Sequence, residues 1–133
     1  MMIEQSLLGT NKVYRNFVFF YLGNHNKDLY SIEFMDANNI LLDKQFAENV
    51  PDKKQIIGTD NYKIMRLCLK KGVEVPPHGG THTAFFLVLE GRGIFTKGSE
   101  EIELKQNDFL FFKVDEIRGI KSLEDLVILA VRD

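Results

Sequence analysis

Short hydrophobic runs separated by turn residues recur along this chain, and they predict β-strands. The predicted strands are residues 13–22, 29–35, 62–70, 83–89, 94–97, 101–104, 109–112 and 126–131. Clusters of Gly, Asn and Asp between them tolerate positive φ or hydrogen-bond to their own backbone, as turn residues do. The spacing of strands and turns predicts an all-β sandwich or barrel.

The alternation of apolar and polar residues distinguishes two kinds of strand. In residues 29–35, Tyr30 and Ile32 share one side while Ser31 lies on the other, as in a strand with one wet face. Residues 126–131 are apolar on both sides, which predicts a strand covered on both faces by the core or by a partner subunit. Residues 40–48 predict one short helical turn before the next proline.

The chain has 133 residues, of which 44% are hydrophobic and 11 are Phe, enough for one core and one domain over residues 1–133. The strands within residues 13–50 complete the sheets or form a dimer interface. A net charge of -2 without a basic stripe argues against nucleic acid as a partner.

The longest apolar runs are far shorter than the roughly 20 residues of a membrane-spanning helix, so we expect no membrane partner. The first residues lack the basic start and apolar segment of a secretory signal, and a cytoplasmic location is expected. Cys68 is the only cysteine. An internal disulfide is therefore excluded, and a packed, inert thiol is expected at Cys68.

Two segments carry a resemblance to a known family. Residues 72–93 read GVEVPPHGGTHTAFFLVLEGRG, and with residues 104–125 they resemble the two motifs of the cupin superfamily of small β-barrels. The first motif is G-x5-H-x-H, three or four residues, E, six residues, G. Gly72 and His78 match its start and Gly91 matches its end. The resemblance covers about residues 60–133 and implies a cupin-type barrel, also called a double-stranded β-helix or jelly roll.

The metal ligands of the two motifs are largely missing. With Gly91 placed on the final glycine, Gly80 stands where the second histidine should be and Ala84 where the glutamate should be. In the second motif, Lys113 replaces the proline and Arg118 replaces the fourth ligand. The resemblance therefore implies a barrel with a degenerate metal site.

His82 offers one way to restore a metal site. In an extended strand, His78 and His82 point to the same face but lie roughly 13 Å apart. One ion, bound at about 2.0 to 2.1 Å by each imidazole, cannot reach both. A bend or bulge at Gly79 and Gly80 would be needed. We expect no cofactor, and a divalent transition metal held by His78 and His82 stays an open alternative.

Arg118 is the more informative substitution. If it points where the family's histidine points, it places a permanent cation inside a largely apolar cup. Such a charge needs an internal carboxylate or an anionic ligand. The alternative is that Arg118 extends to the rim beside Glu116 or Asp115.

These observations lead to a hypothesis of small-molecule binding, with an anion as one form of the ligand. Three residues are predicted to supply polar contacts: His78, His82 and Arg118. Three are predicted to form apolar walls if alternation continues from His78: Phe86, Val88 and Phe111.

Three other functions stay open. One is a metal-dependent oxygenase or isomerase that uses His78 and His82. Another is a metal-free sugar isomerase or epimerase, with either histidine as general base and Tyr62 or another tyrosine as acid. The last is a structural or interaction subunit. A homodimer through residues 17–22 is predicted in every case, because this run carries more apolar surface than an exposed edge strand should.

Overall fold

Nine β-strands and no helix make up residues 37–133, the part of the chain that the computed structural model describes. The strands are β1 (Asp52–Gly58), β2 (Lys63–Leu69), β3 (Glu74–His78), β4 (Ala84–Glu90), β5 (Arg92–Lys97), β6 (Glu100–Lys105), β7 (Phe109–Phe112), β8 (Arg118–Ser122) and β9 (Leu126–Arg132). All of them belong to one compact unit, residues 40–133. No described segment forms a helix that could cross a bilayer.

The strands form two antiparallel sheets. One sheet has the order β1-β2-β9-β4-β7 and the other has the order β3-β8-β5-β6. Several neighbours are distant in sequence, such as β2 with β9 and β3 with β8, because the chain crosses between the sheets. This arrangement confirms the all-β prediction.

The register of the central strands decides which side chains enter the space between the sheets. Met65 is opposite Ala130, and Ala130 is opposite Phe86, so these three point to the same side. They pack against a buried cluster to which the other sheet contributes Phe95 and Ile120. Each such large side chain stabilises the fold by about 1.5–3 kcal/mol when it is fully buried.

Strand β9 is covered on both faces, as its sequence predicts. Val127 and Ile128 are successive residues that point to opposite sides, and each is 0% exposed. Cys68, which pairs with Val127, is also fully buried. The packed environment predicted for this thiol is therefore confirmed.

The helical turn predicted for residues 40–48 is wrong. Residues 40–43 form a turn without a helix, and Asp43 has a φ of 57°. The buried Arg66 guanidinium donates hydrogen bonds to the carbonyls of Ile40, Leu42 and Asp43 at 3.0, 2.8 and 3.2 Å. These carbonyls are the acceptors that a helix needs for its own ladder, so the turn is held by Arg66 instead.

Six of the predicted strands are confirmed with small changes at their ends: β2, β4, β5, β6, β7 and β9. Three strands were missed, β1, β3 and β8. Pro76 and Pro77 made β3 unlike a strand, but it lies at a sheet edge and its register shifts between Val75 and His78, where prolines are tolerated. β1 is the charged edge strand of the other sheet, and β8 is short and contains Gly119.

The predicted strands at residues 13–22 and 29–35, and the dimer surface at residues 17–22, lie outside the described residues. The prediction of a single domain over residues 1–133 includes them and stays a prediction.

Candidate functional site

A cavity of about 360 Å³ lies between the two sheets. Its lining comes from β1, β2, β3, β4, β8 and β9. The inward register described above explains this, because Met65, Phe86 and Ala130 line the cavity and also pack against the core. The cavity is therefore a continuation of the apolar interior toward one end of the barrel.

The polar side chains that line the cavity all carry nitrogen. They are Lys53, His78, Arg118 and Arg132. No carboxylate, hydroxyl or amide side chain belongs to the described lining. Three of the four carry a full positive charge at neutral pH, so the described walls favour an anion.

Arg118 is the most buried of these cations, with 7% of its surface exposed. Its Nη2 donates hydrogen bonds to the carbonyls of His82 and Lys113, both at 3.0 Å, and its Nε donates to the Glu116 carbonyl at 3.3 Å. The guanidinium carbon lies 5.2 Å from the centroid of the Phe112 ring. Among the described residues, Nη1 has no hydrogen-bond partner, so this nitrogen has two N–H groups that can donate to a ligand.

Gly80 makes this position of Arg118 possible. A Cβ at residue 80 would lie 2.6 Å from the guanidinium carbon of Arg118 and within 2.9 Å of both terminal nitrogens. The Asp115 N–H also donates to the Gly80 carbonyl at 2.8 Å. The loops at residues 79–83 and 113–117 are thus joined both by Arg118 and directly to each other.

The alternative in which Arg118 extends to the rim beside Glu116 or Asp115 is wrong, because its side chain is buried and lines the cavity. No described carboxylate forms a salt bridge with it, and its described hydrogen-bond partners are all neutral carbonyls. The Glu116 carboxylate instead accepts hydrogen bonds from the Lys113 N–H at 2.9 Å and from Lys97 Nζ at 3.1 Å. These two donors lower the pKa of Glu116.

The structure separates the two histidines. His78 lines the cavity, and its Nδ1 lies 3.0 Å from the Pro76 carbonyl, a hydrogen bond that needs the proton on Nδ1. His82 is not part of the lining. Its Nδ1 lies 3.6 Å from Oδ1 of Asp133, whose carboxylate also accepts the Thr83 N–H at 3.0 Å. Hydrogen bonding from Thr83 lowers the pKa of Asp133.

The described residues do not fit a transition-metal centre. Within residues 37–133, no group of three His, Cys, Asp or Glu side chains converges on one point. The side chains of Gly80 and Ala84 contain no atom that could bind a metal ion. The guanidinium of Arg118 has N–H groups but no free lone pair, so it is not a metal ligand either. No chemical step is therefore assigned to a metal.

The three predicted apolar wall residues occupy different places. Phe86 lines the cavity, whereas Val88 is fully buried deeper in the core. Phe111 is 49% exposed on the outer face and does not line the cavity. Phe86 pairs with Leu110, so Leu110 points inward like Phe86 and Phe111 points outward. The sequence does not show which residue of β7 is opposite Phe86, so it could not predict which face Phe111 occupies.

The sequence also missed two cations of the lining. Arg132 follows the inward residues Ile128 and Ala130 at a spacing of two, so continuing the alternation of β9 by one step would have found it. Lys53 had no such signal, because β1 was not among the predicted strands.

The isomerase hypothesis requires a histidine and a tyrosine that face each other across the cavity. His78 is in place, but Tyr62 is 42% exposed and is not part of the lining. Tyr62 is the only tyrosine within residues 37–133. The described part of the chain therefore does not assemble that pair.

Comparison with known proteins adds a family. A family model described as the cupin domain matches residues 65–131, about half of the chain. An RmlC-like cupin protein from Desulfovibrio desulfuricans superposes with a TM-score of 0.67 at 24% identity, over 74% of this chain and 95% of that chain. The protein TT1209 from Thermus thermophilus gives 0.68 at 17% identity, over 74% and 96%. An RmlC-like cupin from Shewanella frigidimarina gives 0.59 at 15% identity, over 60% and 72%.

These likenesses are all below 25% identity, so they establish the fold alone. The resemblance found in the sequence and the cupin-type barrel are both confirmed. A local match of 43 residues at 56% identity also relates this chain to short transient receptor potential channel 4 of mouse, rat and human. It spans 29% of this chain and 4% of the channel, and no channel activity is transferred from it.

Proposed function

Because this chain belongs to the cupin family, we propose that its barrel binds a small anionic molecule in the cavity beside Arg118. The observation that carries this proposal is the composition of the described lining, which has four nitrogen-bearing side chains and no carboxylate. No reaction is included in the proposal.

The physical argument starts from the cost of burying a cation. An ion taken out of water loses several kcal/mol unless it is paired and hydrogen-bonded. The three carbonyls around Arg118 supply hydrogen bonds but no negative charge. A bound anion supplies the missing charge and accepts from Nη1, which is free among the described residues. Hydrogen bonds of this charged kind contribute about 1.5–3 kcal/mol each.

The other two lining cations, Lys53 and Arg132, are expected to attract the anion rather than to hold it. Lys53 and Arg132 are less buried than Arg118 and remain in contact with solvent. Their charges raise the local concentration of anions and speed association, with an effect that salt weakens. Arg118 is expected to determine the affinity, and the outer cations the rate of association.

Isothermal titration calorimetry at constant ionic strength tests the proposal. The probes are inorganic phosphate and a set of small carboxylates, each titrated to about 10 mM. Arg118→Gln should weaken the binding of the best probe by about ten- to a hundredfold. Arg132→Gln should weaken it by a smaller factor.

The control is Lys105→Gln, which removes the same charge from an exposed lysine outside the cavity. It should bind like the wild type. Absence of binding by every probe would reject the proposal, and so would equal binding by the wild type, Arg118→Gln and Arg132→Gln. Arg132→Gln keeps the test decisive if Arg118→Gln fails to fold.

A further inference from the structure

The walls of the cavity indicate what kind of anion fits it. Resting on the proposed function, we infer that the ligand is a monocarboxylate carried on an apolar body, aliphatic or aromatic, rather than a sugar phosphate or a hydroxylated acid. The inference depends on the apolar wall, the volume, and the number of free donors.

Most of the residues that line the cavity are apolar. The larger members of this apolar wall are Met65, Leu67, Val75, Phe86 and Ile120. Most backbone groups at these positions are also unavailable, because β2, β9, β4 and β8 each pair with a strand on both sides. A sugar hydroxyl placed against this wall would lose its hydrogen bonds to water without replacement, whereas a hydrocarbon would gain from leaving water.

The cationic group and the apolar wall are contiguous. Arg118 and Ile120 are two residues apart in β8, so they extend from the same face of that strand. A ligand whose carboxylate contacts Arg118 therefore has its body next to Ile120 and the residues of the facing sheet. The volume of about 360 Å³ holds about a dozen water-sized groups, as in a small organic acid.

The donors suit a carboxylate better than a phosphate. Among the lining cations Arg118 is the buried one, whereas Lys53 and Arg132 are in contact with solvent. Arg118 has one terminal nitrogen without a partner among the described residues, because its Nε and Nη2 already donate to carbonyls. Phosphate sites usually add helix N-termini or runs of backbone N–H groups. Residues 37–133 contain no helix. A singly charged group with two oxygens needs fewer donors and matches this site.

A homologous series of ligands tests the class. Straight-chain carboxylates from acetate to octanoate, with benzoate, are titrated into the full chain at constant ionic strength. Their affinity should rise about fourfold for each added methylene throughout the straight-chain series, because octanoate is still smaller than the dozen or so groups that the cavity holds. The matching neutral amides should bind at least about tenfold more weakly. Gluconate and glucose 6-phosphate should bind no better than acetate.

Two variants with the same change of side chain place the effect in the cavity. Phe86→Leu alters the wall, while Phe111→Leu alters a phenylalanine on the outer face. Phe86→Leu should change the ratio of the hexanoate and acetate dissociation constants by at least about threefold. Phe111→Leu should leave that ratio as in the wild type.

The outcomes separate this inference from the proposed function. Equal affinity for acetate, hexanoate and gluconate, abolished by Arg118→Gln, would overturn the apolar monocarboxylate but keep an anion site. A chain-length effect that Phe86→Leu leaves unchanged would also overturn it. Absence of binding by any anion would remove both ideas together.

Discussion

Replacing Gly80 by alanine should destabilise the protein through Arg118, whose guanidinium supplies the three atoms nearest to the added Cβ. The added Cβ would lie 2.6 Å from the guanidinium carbon of Arg118, closer than unbonded carbon atoms come. The guanidinium is the end of a flexible side chain, but it is buried and donates to three carbonyls. It can move away only by stretching or breaking those hydrogen bonds.

The expected magnitude follows from the bonds at risk. Losing the equivalent of one hydrogen bond from a charged donor lowers the free energy of unfolding by about 2 kcal/mol. For a chain of this size that corresponds to a fall in Tm of about 8 °C. Backbone strain adds nothing, because Gly80 does not have a positive φ. At such a site, Gly→Ala otherwise stabilises by about 0.4–1 kcal/mol.

The assay is urea unfolding followed by circular dichroism, on the single variants and on the double variant with Arg118→Ala. In the Arg118→Ala background, Gly80→Ala should become neutral or stabilising, so the double-mutant cycle should show a coupling of about 2 kcal/mol. Gly79→Ala is the matched control, because the nearest atoms to its Cβ would lie 3.9 Å away, at an ordinary van der Waals distance. If Gly80→Ala costs the same with and without the guanidinium, the assignment of Gly80 to Arg118 is refuted.

Further predictions concern pH, the thiol and assembly. The pKa of Glu116 in the folded protein is lowered by its hydrogen bonds from the Lys113 N–H and Lys97, so its contribution to stability is present at neutral pH and is lost as pH falls through that pKa. Thermal melts should therefore show that Tm falls less between about pH 7 and about pH 3 for Glu116→Gln than for the wild type. An equal fall in Tm for the two proteins would contradict this. Cys68 is fully buried and burial raises the pKa of its thiol, so an aromatic disulfide reagent should react with it slowly until denaturant is added; fast labelling of the native protein would count against this. The homodimer expected through residues 17–22 should give twice the chain mass in light scattering at micromolar concentration, and a monomeric mass would reject it.

Sequence patterns located most of the strands that lie in the middle of the two sheets. Strand β9 was recognisable because six successive apolar residues are typical of a strand that is buried on both faces. Gly91 was recognisable for a different reason: its φ is 79° and a Cβ there would lie 2.1 Å from the Asp125 carbonyl, so only glycine fits. Burial on both faces and a positive φ each restrict the residue types allowed at a position, so both can be recognised from the sequence.

Two of the four edge strands, β1 and β3, and the turn at residues 40–43 were beyond sequence reasoning. β3 is a strand in spite of Pro76 and Pro77, because it is an edge strand that pairs only with β8. An edge strand tolerates proline, which has no N–H group to donate. Residues 40–43 form a turn because Arg66, more than twenty positions later in the chain, donates hydrogen bonds to three of their carbonyls. Contacts between distant segments decided both cases.

The candidate site divides in the same way. The sequence by itself determined the family resemblance, the loss of donor atoms at Gly80 and Ala84, and the presence of a permanent cation at Arg118, because these depend only on residue identity and motif spacing. The tertiary structure alone decided that Arg118 is buried among neutral carbonyls and that Lys53 shares its cavity. It also decided that Phe111 faces outward, because a change of one residue in strand register turns every side chain to the opposite face.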